Sequence, residues 1–188
     1  GLAKCGARNL RLMTAISSEI QSDDFLTIFN SQDLSNVAWA YATLQIDDKP
    51  LLNAIATQAM QPLYLAAFTE AEISSTLWAL ATLGVRHVEF MQAVSRQLTA
   101  DRFITSFRPH NLGNVGWAFA TLGIRDRTLM AMVAERARHA GYFDRSKPSD
   151  IARLAWAFAE MGITDNALMA TLARKGTEPG FMDRANTK

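Results

Sequence analysis

Four tryptophans, Trp39, Trp78, Trp117 and Trp156, stand 39 residues apart, and the chain of 188 residues has no others. Each sits in the same kind of phrase: NVAWAYATLQI, STLWALATLGV, NVGWAFATLGI and RLAWAFAEMGI. A fixed period of this length marks a stack of repeated structural units, each too small to bury its apolar face alone. The period divides the chain into a truncated repeat at 1–31 and full repeats at 32–70, 71–109, 110–148 and 149–187. These are expected to form one continuous solenoid, with the indoles as its repeating structural core. Function is then to be sought in what varies between equivalent positions.

Local signals define the unit as two helices and a linker. Asn30 with Asp33, and Thr69 with Glu72, have capping-box spacing at the start of a first helix. Pro109 and Pro148 hold the first helical position in the later repeats, where the missing N–H costs nothing. Gly84, Gly123 and Gly162 are placed to stop that helix, and Gln45 takes the equivalent place. Asn9, Asp48, Asp126 and Asp165 share one register and can cap a second helix; His87 breaks the pattern. Apolar stripes such as Leu129, Met130, Val133 and Ala137 continue from there. Phe25, Tyr64, Phe103, Tyr142 and Phe181 recur in the linker. Alternating runs bounded by turn pairs are missing, so the expected class is all-α, an α-solenoid of two-helix repeats.

The first helix is apolar around most of its circumference, as an inner helix between neighbours would be. One narrow face escapes. It reads Gln32-Asn36-Ala40-Thr43, Ala71-Ser75-Ala79-Thr82, His110-Asn114-Ala118-Thr121 and Ser149-Arg153-Ala157-Glu160. Inner helices of a solenoid line its concave side, so this small and polar stripe is the candidate contact face. The chain carries a net charge of only +1, but the charge is uneven. The four full repeats carry −3, +1, +3 and −1 in order, so the third is the basic one. Such a local patch can attract phosphate although the whole is nearly neutral.

Other classes find little support. No apolar run reaches membrane-spanning length. The single cysteine, Cys5, rules out an internal disulfide framework and replaces a core leucine at its register. His87, His110 and His139 lack zinc-ligand spacing. A phosphate-cradling glycine loop and a nucleophile motif are both missing, and the repeated carboxylates have a capping explanation. The expectation is a non-enzymatic chain without cofactor, metal or small-molecule substrate. Both ends fall inside the repeat pattern, which reads as a fragment of a longer array whose targeting segment lies elsewhere.

SQDLSNVAWAYATL and HNLGNVGWAFATLG resemble the octotricopeptide repeat, whose signature contains a stretch like QDLANLLWALAKLG. The heptatricopeptide repeats of apicomplexan organelle proteins, and the helical region preceding RAP domains, are similar too. The resemblance covers essentially the whole chain; Ala71, Gln45 and Glu160 depart from it, and no RAP domain is visible. It implies a binder of single-stranded RNA or rRNA in a mitochondrion or plastid, acting in RNA processing, stability, translation or ribosome assembly. On that reading Asn36, Ser75, Asn114 and Arg153 are the leading base-contact candidates, followed by Gln32, His110 and Ser149. Arg102, Arg108, Arg125, Arg145 and Lys147 are the phosphate candidates. The alternative is a scaffold subunit that braces a large organellar assembly through protein contacts.

Overall fold

The computed structural model describes residues 9–22, 25–100 and 103–186, and among them there is no strand. The fold is all-α and compatible with an α-solenoid of helical repeats. The inner helices are α2 (Ser31–Thr43), α5 (Glu70–Thr82), α7 (Pro109–Thr121) and α9 (Pro148–Glu160). The second helices are α1 (Leu10–Ile20), α3 (Lys49–Ala59), α6 (Val88–Ala100), α8 (Arg127–Ala137) and α10 (Asn166–Gly176). A short helix, α4 (Pro62–Ala67), and 3₁₀ turns at Phe25–Ile28, Phe103–Ser106 and Met182–Asn186 lie in the linkers. The chain forms two compact units, Gly1–Val94 and Ser95–Lys188. Cys5 lies outside the described residues.

The helix starts follow from side-chain acceptors placed one turn ahead of orphan N–H groups. The Asp33 N–H donates to Asn30 Oδ1 at 2.9 Å, and the Asn30 N–H donates back to Asp33 Oδ2 at 3.1 Å. Thr69 and Glu72 repeat the exchange at 3.3 and 2.8 Å. Asn9, Asp48, Asp126 and Asp165 cap α1, α3, α8 and α10 by accepting from Leu12, Leu51, Leu129 and Leu168. His87 departs from the carboxylate register but does the same work. Its Nδ1 lies 3.2 Å from the Phe90 N–H, and its Nε2 lies 3.1 Å from the Thr57 hydroxyl. The network therefore assigns the ring proton to Nε2.

The inner helices end alike. The Ile46, Val85, Ile124 and Ile163 N–H groups reach back to the Tyr41, Leu80, Phe119 and Phe158 carbonyls at 2.8–2.9 Å. This closure needs a left-handed residue in between. Gly84, Gly123 and Gly162 supply it with φ of 64–66°, and Gln45 is forced to φ 53°.

In the first unit α2 packs chiefly on α5, and in the second α7 packs chiefly on α9. The deepest inner-helix side chains are Tyr41 and Leu80 in the first unit and Phe119 and Phe158 in the second, each essentially sealed. The indoles two residues earlier are not sealed. Trp39, Trp78 and Trp117 are half-buried, and Trp156 is 42% exposed. A step of two residues turns about 200° around a helix, so one ring packs deeply while the other looks outward. The hydroxyl of Tyr41 shows the inward direction, donating to the Met13 carbonyl of α1 at 2.6 Å. Linkers are also tied to each other: Tyr64 donates to the Thr27 carbonyl at 2.5 Å in the first unit, and Tyr142 to the Phe107 carbonyl at 2.9 Å in the second.

Holding a non-glycine residue in the left-handed region costs about 1 kcal/mol or more. Gln45 recovers part of this through its Nε2 bond to the Ala42 carbonyl at 3.0 Å. Gln45→Gly is therefore expected to stabilise the fold by about 0.5–1 kcal/mol in denaturant unfolding. An equal or lower midpoint would contradict the strain.

Candidate nucleic-acid interface

The polar stripe differs between the two units. In the first, Gln32 and Asn36 are exposed on α2, and Ser75 is half-buried on α5. In the second, the stripe is knitted together. His110 and Ser149 are exposed, but Asn114 is 6% exposed and Arg153 is half-buried. The Arg153 guanidinium donates to Asn114 Oδ1, across the α7–α9 contact. Asn114 Nδ2 lies 3.4 Å from His110 Nε2, and His110 Nδ1 lies 3.3 Å from Asp150 Oδ1. The Lys147 N–H completes the chain on Asp150 Oδ2 at 2.9 Å. The two helices lie close at Gly113 and Gly116, where an added Cβ would stand in ordinary van der Waals contact, 3.4 Å from the Asp150 carbonyl and 3.5 Å from Ala157. The leading candidates of this unit thus face each other.

Asp150 anchors that chain from a buried position. Burial pushes its carboxyl up, but hydrogen bonds from His110 and the Lys147 N–H, with the charges of His110 and Arg153, outweigh this and hold it below the ordinary 3.8. A carboxylate with a depressed folded pKa stabilises above its unfolded value, and the gain is lost as pH falls through the folded one.

An open cleft of about 780 Å³ lies in the second unit, where α7 and α9 begin and α8 ends. Arg108, His110, Arg136, His139 and Arg145 supply its cationic or titratable nitrogens. Asp144 and Asp150 are its carboxylates. Both are engaged: Asp150 as above, and Asp144 by Lys175 Nζ at 3.2 Å. Arg136 lies flat on Tyr142, its guanidinium carbon 4.6 Å from the ring centre. Its Nε is buried without a hydrogen-bond partner. α7 begins beside the cleft at Pro109 and has no side-chain cap. Its first turn therefore keeps a favourable field for an anion.

The structure brings Arg108, Arg145 and His110 together at this cleft. Arg125 is exposed past the far end of α7, and Lys147 stands at the start of α9 outside the lining. Arg102 lies outside the described residues. Arg136, His139 and Tyr142 also line the cleft, and none of them carries a site signal in the sequence, where Tyr142 reads only as a linker anchor. The excess charge of 110–148 was the available hint.

Stacked two-helix units with a cation-lined cleft define an all-α repeat protein able to meet a polyanion. Residues 1–180 match the family described as RNA-editing substrate-binding complex 6 protein, and the chain belongs to that family. The family is RNA-associated, as the resemblance implied, but it is not specifically the octotricopeptide one. Among curated proteins no match is found. Among the described residues no helix is long and apolar enough to cross a membrane.

Asp150→Asn is expected to lower stability by about 1–2 kcal/mol at neutral pH, since two donors lose an ionised acceptor. The difference from the parent chain should close as pH falls below about 4, where the parent's carboxylate also takes a proton. Thermal unfolding of both proteins between pH 3 and 7 measures it. A gap independent of pH would show that the charge of Asp150 is irrelevant.

Proposed function

We propose that this chain is an RNA-contacting subunit of an RNA-editing assembly, acting in RNA processing by binding and without catalysis of its own. The observation that carries the reading is the cation-lined cleft of the second unit, in a chain whose family is named for a complex that binds RNA-editing substrates. Arginines supply phosphate contacts there, and the exposed Gln32 and Asn36, with Ser75, supply base contacts in the first unit. Asn114 and Arg153 reach bases only by exchanging their mutual bond for one to RNA. The family favours a mitochondrion over a plastid and gives no particular support to a ribosomal role.

A second reading, a protein scaffold, has its own support. The linker edge of the first unit is uncharged over Met60–Thr69, with Leu63 87% exposed. Ile28, on the neighbouring linker, is 71% exposed. Protein contacts on that edge and RNA contacts elsewhere are compatible in one subunit.

Single-stranded RNA should bind in a salt-dependent way. Three phosphate contacts give a slope near −2 in log K against log salt, or roughly a 20-fold loss of affinity between 50 and 200 mM salt. Filter binding measures this, and absent or salt-insensitive binding contradicts the reading. Asn36→Ala should alter the preference among homopolymers in competition assays while leaving that slope unchanged. An unchanged preference removes Asn36 from the base-contact set.

A further inference from the structure

We propose that the cleft at the starts of α7 and α9 is a phosphodiester-binding site with Arg136 as its fixed anchor, a deepening of the RNA reading on which it rests. Arg136 sits in the last turn of α8, and nothing in the stripe or in the capping pattern accounts for it. Its guanidinium is held on the Tyr142 ring, and that ring is itself held by the bond from its hydroxyl to the Phe107 carbonyl. The stack fixes the plane of the guanidinium and leaves its donor edge for an in-plane acceptor.

The Nε of that guanidinium is buried and has no hydrogen-bond partner among the described residues, a costly state for a charged group unless an anion in the cleft balances it. The cleft carboxylates are committed, Asp150 to His110 and the Lys147 N–H, and Asp144 to Lys175, which Glu178 also holds at 2.5 Å. The neighbouring Arg138 behaves differently, since it makes a two-pronged pair with Asp165 at 3.0 and 2.7 Å. Two arginines on one turn are thus divided, one satisfied by a helix cap and one turned to the cleft. Arg145 and His139 stand exposed at the same opening and add charge and a donor. A fork of donors backed by further cations fits the tetrahedral oxygens of a phosphate. The cleft admits a nucleotide unit along with its phosphate, so the ligand is a linkage within a strand. The site carries no reader of base identity, and its contribution is the same for any RNA sequence.

The test compares the full chain with Arg136→Gln, Arg136→Lys and Arg145→Gln, using oligo(U), oligo(A) and oligo(C) across a salt series. Arg136→Gln and Arg145→Gln should each lose about fivefold in affinity at 0.1 M salt, and about 0.7 in salt slope, equally on all three oligomers. Arg136→Lys keeps the charge but not the fork, so it should retain the slope and still bind more weakly. Arg145 is exposed, so its variant tests the cleft even if the Arg136 variants unfold. The NMR signal of the Arg136 Nε–H should also move on titration with inorganic phosphate. RNA binding with parental affinity and slope in Arg136→Gln and Arg145→Gln overturns the cleft and leaves the RNA reading standing. A parent chain that ignores RNA while inorganic phosphate moves the Arg136 signal defeats the RNA reading and upholds the phosphate site. A polyglutamate peptide that moves that signal at concentrations where phosphate does not assigns the cleft to an acidic protein segment and overturns the proposal.

Discussion

The structure depends on inner helices lying directly against inner helices, α2 on α5 and α7 on α9. Within each pair such a contact forms only if the chain comes back to the same height and rotation after one repeat. That requirement accounts for the 39 residues between Trp39 and Trp78 and between Trp117 and Trp156. It also explains why the end of each inner helix is controlled so closely, since a closure one residue late would turn every following side chain by about 100°. The left-handed residue at the end of each inner helix, and the acceptor at the start of the next helix, together set the length of the turn between them. Packing then rewards the result through Tyr41, Leu80, Phe119 and Phe158.

Much of this was legible because it is local. A cap and its N–H lie three residues apart, and a stop glycine is read from its own position. His87 shows the limit of reading by residue type, since an imidazole nitrogen can accept as a carboxylate does. The choice between the Trp column and the column two residues later was not legible. Both are large and apolar, and only the placement of neighbouring helices decides which is sealed.

The candidate site was legible in part, for the same reason. The charge excess of 110–148 pointed to the repeat that holds the cleft. The stripe reads as one face of a helix in the sequence, yet in the second unit the partners of its side chains lie a full repeat away along the chain. Arg153 meets Asn114, 39 residues earlier, and Asp150 meets His110, 40 residues earlier. Within this unit equivalent positions of the two repeats are neighbours in space, so their polar side chains can satisfy each other. The place of Arg136 is not legible in the sequence, because Tyr142 makes its environment and the cleft carboxylates Asp144 and Asp150 are held by other partners. Arg138, of the same type and two residues on, has the opposite fate.

His87 gives α6 a property that the aspartate-capped helices lack. An ionised carboxylate can only accept, whereas an imidazole accepts at one ring nitrogen and donates at the other. Nδ1 receives the Phe90 N–H, and Nε2 reaches the Thr57 hydroxyl of α3 at 3.1 Å. One side chain therefore both opens α6 and hands a bond to the preceding second helix, so the start of α6 and the flank of α3 are fastened by a single ring.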